Sequence, residues 1–172
     1  MINLNKIAHK IASSDPSVSS TVTPEITFNT SDVKEWRVNG LLHREDGPAQ
    51  EYPDGDKKWW INGKLHREDG PAVEWADGGK QWWINGKLHR EDGPAEIRVD
   101  GSKEWLIHGR LHREDGPAIE HGPEYDHNYF HEYDEDGDQG SEWYLNARKI
   151  EYDPETWDQK VQESKVEMVM NE

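Results

Sequence analysis

His43-Arg44-Glu45-Asp46 sets an imidazole, a guanidinium and two carboxylates side by side, and the same four residues return at 66–69, 89–92 and 112–115. These are ingredients of acid–base chemistry, of anion recognition and of metal ligation. Catalysis needs one asymmetric pocket with differentiated acid and base, whereas repeated copies of a tetrapeptide create equivalent environments. The pattern therefore argues against an enzyme. Two uses remain. In one, Arg67 pairs with a carboxylate of its own or the adjacent unit and His66 packs on Trp59, so that the motif aligns repeats. In the other, the rings of Trp36, Trp59, Trp82 and Trp105 and of His43, His66, His89 and His112 stack on a flat group such as a base. Arg44, Arg67, Arg90 or Arg113 would then meet a phosphate, and the ligand would be a small nucleotide.

A second candidate is the segment 121–140, with His127 and His131 four apart and Asp134, Asp136 and Asp138 alternating. A calcium loop needs Asp-x-Asp-x-Asp-Gly, but here Gly137 falls between the second and third acids. Two histidines also fall short of the three protein ligands that zinc requires. No metal and no cofactor is expected. The segment reads as an acidic loop suited to a partner contact.

The elements that hold these residues follow from the repeat itself. His-Arg-Glu-Asp-Gly-Pro-Ala occupies 43–49, 66–72, 89–95 and 112–118, and Trp36, Trp59, Trp82 and Trp105 keep the same period of 23 residues. A degenerate fifth unit starts at Trp143, delayed by 15 residues. Within a unit, Trp59-Trp60-Ile61 is a β-prone run and Asn62-Gly63 is the preferred pair for a type I′ hairpin turn. That turn sets Ile61 opposite Lys64, Trp60 opposite Leu65 and Trp59 opposite His66. Asp69-Gly70-Pro71 interrupts the ladder, a second strand runs from Ala72 to Trp75, and Asp77-Gly78 turns the chain into the next unit. In the third unit, Ile97 and Val99 replace Glu74 and Ala76 and leave the register open. His108-Gly109 and Asn146-Ala147 weaken the turns of the last two units.

The predicted fold is all-β: an elongated antiparallel meander of 23-residue hairpin repeats over 25–152, with an acidic insertion at 121–140 and a C-terminal capping helix over 153–172. Residues 1–24 divide into a short helix around Ile7 and Ile11 and a Ser/Thr/Pro linker. Glu25 to Thr30 alternates Ile26 and Phe28 with polar residues, as an edge strand would. Asp153 and Pro154 suit the N-cap and first position of the terminal helix, with Trp157, Val161 and Met168 on one side.

Charged residues make up 33% of the 172 and hydrophobic ones 32%, so nine tryptophans must supply much of the core. The absence of cysteine excludes disulfides and thiolate sites. With no long apolar run, a cytoplasmic protein without membrane contact is expected. The net charge of −16 is concentrated at 121–172, which holds 15 acids and 4 bases, against 17 and 13 over 36–120. Direct nucleic-acid binding is disfavoured, while an array of carboxylates can imitate a phosphate backbone and occupy a DNA-binding protein.

The layout Trp-x-Asn-Gly-Lys-Leu-His, then Gly, then Asp-Gly on a period of 23 resembles the MORN repeat family over about 36–120 and weakly over 141–152. It is nearer to variants carrying His-Arg-Glu-Asp-Gly-Pro-Ala, seen in phage and bacterial proteins, some of them antitoxin-like. A typical unit has His-Gly-x-Gly, but here Arg67-Glu68-Asp69-Gly70 follows His66, which lengthens that turn. The resemblance implies a twisted sheet of hairpins serving protein contacts and, less directly, lipid contacts, which an acidic tail opposes at an anionic leaflet. The combined expectation is a non-catalytic scaffold for a protein partner, such as a phage-encoded inhibitor of a host defence protein. Sequestration of a nucleotide signal and acidic DNA mimicry are the alternatives.

Overall fold

The computed structural model describes residues 24–29, 31–122 and 141–170. The helix expected around Ile7 and Ile11, most of the linker, and His127, His131, Asp134, Asp136 and Asp138 lie outside the described residues.

Each unit is a hairpin divided into a base and a tip. In the second unit, β5 (Lys57–Lys58) and β8 (Val73–Glu74) pair as the base, with Lys57 opposite Glu74 and Lys58 opposite Val73. Trp59 then joins base to tip: its N–H donates to the Ala72 carbonyl at 2.8 Å and its carbonyl accepts from His66 N–H at 3.1 Å. Beyond it, β6 (Trp60–Ile61) and β7 (Lys64–Leu65) form the tip, in the expected register of Trp60 with Leu65 and Ile61 with Lys64. Asn62 and Gly63 have φ of 51° and 74°, the paired left-handed residues of a type I′ turn. Residues 67–71 bulge out of the returning strand, because Pro71 has no N–H and cannot continue a ladder. Pairing resumes at Ala72, which is wholly buried, as are Ala49, Ala95 and Ala118.

The bases join into one 10-stranded antiparallel sheet, a meander in which each of the first four units adds an outgoing and a returning strand, while the fifth meets it through the single bridge of Ile119 with Glu142. The first unit contributes β2 (Lys34–Val38), with its tip partner β3 (Leu41–Leu42), and β4 (Gln50–Glu51). The third contributes β9 (Lys80–Gln81) and β12 (Glu96–Ile97), and the fourth β13 (Lys103–Glu104) and β16 (Ile119–Glu120). The third unit keeps the common register, with Ile97 opposite Lys80 as Glu74 is opposite Lys57. The later tips are β10 (Trp83–Ile84) with β11 (Lys87–Leu88), β14 (Leu106–Ile107) with β15 (Arg110–Leu111), and β17 (Tyr144–Leu145) with β18 (Arg148–Lys149).

The two ends of the sheet differ. At the start, β1 (Glu25–Phe28) is the edge strand, with Ile26 opposite Trp36, and it leaves Ile26 and Phe28 exposed. At the other end, α1 (Trp157–Met170) seats Trp157 and Val161 on Leu145, with Trp143 and Ile150 beside them. Asp153 accepts Glu155 N–H at 3.0 Å and the Thr156 hydroxyl at 2.7 Å, holding the turn from which the helix starts. The expected helix thus begins at Trp157 and not directly after its cap. Ala147 keeps a φ of 66°, so the fifth tip retains its left-handed turn despite lacking glycine.

Candidate functional site

The bulge at 67–71 begins at Arg67, whose side chain folds back over Trp59 with Cζ 4.1 Å from the ring centre. Arg44, Arg90 and Arg113 do the same over Trp36, Trp82 and Trp105 at 4.1, 4.2 and 3.9 Å. The arginine covers the tryptophan, a contact that strand alternation does not announce. The far side of each guanidinium lies on a glycine: a Cβ added to Gly47, Gly70, Gly93 or Gly116 would fall 2.8, 3.0, 2.9 or 2.6 Å from that Cζ. Nε and Nη1 are committed as well. Nε of Arg67 donates to Asp69 at 2.9 Å, and Nη1 donates to the Pro71 carbonyl and to Glu74, both at 3.1 Å. Arg44 and Arg113 have the same three partners, with Glu51 and Glu120 as the distant carboxylates. In the third unit Ile97 stands at that place, and Arg90 keeps Asp92 and the Pro94 carbonyl. These hydrogen bonds hold the Asp46, Asp92 and Asp115 carboxyls below the usual carboxylate range.

The histidines serve the junction between units. Nδ1 of His43, His66, His89 and His112 accepts the backbone N–H of Asn62, Asn85, His108 and Asn146 at 3.1, 3.1, 3.1 and 3.3 Å. Two backbone bonds flank each such contact: Gly63 N–H to the Leu42 carbonyl at 2.9 Å and Arg44 N–H to the Trp60 carbonyl at 3.0 Å at the first junction. An imidazole nitrogen therefore stands in for the carbonyl that would complete the ladder. Accepting at Nδ1 leaves the proton of the neutral ring on Nε2, which faces Glu68, Glu91 or Glu114 at 3.6–3.8 Å; Nδ1 of His43 also lies 3.0 Å from Asn62 Oδ1, with its Nε2 3.7 Å from Glu45. Sequence reasoning named all twelve of these Trp, His and Arg side chains, and the structure brings them together as one repeated interlock.

What the motif presents to solvent is its acids. Side chains of Glu45, Asp46, Glu68, Asp69, Glu91, Asp92 and Asp115 are 72–86% exposed, and Glu114 is 40% exposed. Since each unit adds two strands, the carboxylate pairs recur about every 9.5 Å along the sheet. A second row, at the tips, is basic and exposed: Lys64, Lys87, Arg110 and Arg148. Between the third and fourth loops lies a groove of about 770 Å³, floored by Trp105, Ile107 and Met168. Arg90 and Arg113 line it together with Glu91, Asp92, Glu114 and Asp115. Within it Asp92 pairs with Arg90 at 2.8 Å and Asp115 with Arg113 at 2.9 Å, and Lys165 holds Glu114 at 2.9 Å.

Among the described residues no group of His, Asp and Glu is arranged to hold a metal ion, and no helix is long and apolar enough to cross a membrane. No protein-family model matches the chain, and no curated protein matches it.

Proposed function

We propose that this chain is a non-catalytic repeat scaffold that holds a protein partner, and that the partner bears a positively charged surface. One observation carries the reading: the repeated motif ties its half-buried guanidiniums to its own tryptophans and carboxylates and turns regularly spaced carboxylates outward. A rigid array of charge steers an oppositely charged partner and loses little conformational freedom on binding. The exposed glutamates are the residues to test, since the aspartates also hold Arg44, Arg67, Arg90 and Arg113 in place. The resemblance to phage and bacterial MORN-like variants extends the proposal to an inhibitor of a host defence protein, including one that otherwise grips a phosphate backbone.

The test compares charge reversal on the two rows. Glu68→Lys with Glu91→Lys should weaken capture of the partner from host lysate by tenfold or more, and raised salt should weaken it further. Lys64→Glu with Lys87→Glu on the tips should leave capture unchanged. Equal effects of the two pairs, or affinity indifferent to salt, would sink the reading.

A further inference from the structure

His89 and His112 differ from the first two ladder histidines in depth, with 13% and 8% of the side chain exposed against 17% and 19%. They tie the third tip to the fourth and the fourth to the fifth, and His112 lines the groove. Each bond requires a lone pair on Nδ1. A protonated imidazole carries hydrogen on both nitrogens, so Nδ1–H would then face the backbone N–H of His108 or Asn146, donor against donor.

We propose that these two histidines are acid-sensitive struts: proton uptake at Nδ1 of His89 and His112 releases the tips of the third, fourth and fifth units from one another and loosens the groove between the loops. The consequence for docking rests on the function proposed above; the loosening itself does not.

The charged surroundings of both rings are mixed. Around His89 stand Glu91, 3.8 Å from Nε2, and His108, whose ring is stacked at 4.4 Å. Around His112 stand Glu114, 3.6 Å from Nε2, and Lys165 from α1, which itself holds Glu114 at 2.9 Å. Glu91 and Glu114 favour the cation, whereas His108 and Lys165 oppose it. Burial is the largest influence on both rings and pushes them below the ordinary histidine value of 6.5. A depressed folded value means that stability is complete above 6.5 and is lost as pH falls through the lowered values.

Amide exchange at His108 and Asn146, corrected for the intrinsic pH dependence, reads the struts directly. Between about pH 7.5 and about pH 5.5, the window of histidine titration, protection at these amides should fall tenfold or more. In His89→Asn with His112→Asn, the side-chain oxygen lies where Nδ1 lay and does not titrate, so protection should hold across that range. Protection that stays constant in the native chain, or falls equally in the double variant, overturns the proposal. Should the double variant fold poorly, ring resonances of His89 and His112 in the native chain decide: the struts are refuted if the rings titrate while the His108 and Asn146 amides do not respond. Partner capture that is absent at both pH values would count against the docking ridge alone.

Discussion

Gly47, Gly70, Gly93 and Gly116 are needed for the guanidinium that lies on them, since none of the four has the left-handed φ that marks the turn glycines. Gly116→Ala would push Arg113 off Trp105 and away from Glu120, and should cost about 1–3 kcal/mol in chemical denaturation. The penalty should shrink to a few tenths in an Arg113→Ala background, on the usual scale for surface changes; an undiminished penalty would mean that the crowding lies elsewhere. At this scale the sequence was legible in identity and in the pairing of Arg67 with carboxylates of its own unit, Asp69 and Glu74, and silent on what covers the tryptophan. Two-residue hairpin geometry does bring His66 beside Trp59, and the backbone bond between them is present. The ring contact goes to Arg67 because the bulge starts there and frees a longer, planar cation to turn back, which alternation along a strand cannot show. Another residue-scale feature is hidden in a single copy and plain on comparing units: Trp83 donates to Gln81, and Tyr144 to Glu142, while Lys58 leaves Trp60 Nε1 buried without an acceptor.

At the scale of elements, the tips carry most of the fold's readable information. Asn39-Gly40, Asn62-Gly63 and Asn85-Gly86 adopt the left-handed pair that their types predict, and His108-Gly109 follows them with a φ of 53° at His108. The fifth turn was expected to weaken, yet it persists with Ala147 in a conformation that disfavours a Cβ. Its surroundings leave little choice: Ala147 N–H donates to the Leu111 carbonyl at 2.8 Å, and the Asn146 amide donates to Ser164 at 2.9 Å. Replacing Ala147 by glycine should relieve the strain and raise stability by about 0.5–1 kcal/mol, measured as a shift in denaturation midpoint. No gain would mean that the local backbone has relaxed away from strain. The division of each hairpin into base and tip was not legible, because it arises where one tryptophan bonds both ways along the chain, a tertiary consequence of the bulge opposite it. The third unit's register was open on side-chain pattern alone; pairing with both neighbouring strands settles it.

For the whole molecule, contacts run between adjacent units, so damage should remain local. Trp157→Ala removes the ring that meets Trp143 edge-on at 4.9 Å and donates to the Glu114 carbonyl at 2.7 Å. A loss of about 3–5 kcal/mol is expected there, in the range for large-to-small aromatic substitutions. Hydrogen exchange should show protection lost over 141–170 while 57–97 keeps it, as nearest-neighbour coupling requires; uniform loss would reveal one cooperative unit. The elongated, capped architecture was legible from the period and from Asp153-Pro154, and the charge on each row could be counted, but which charges face water required the structure. The sameness of the junctions also has a hereditary consequence. Since each tip meets the next through the same positions, an in-frame duplication of the stretch encoding 59–81 would insert a unit whose two faces already fit their neighbours. Recombination between such copies would lengthen or shorten the chain in whole units, changing its reach in steps while β1 and α1 stay at the ends.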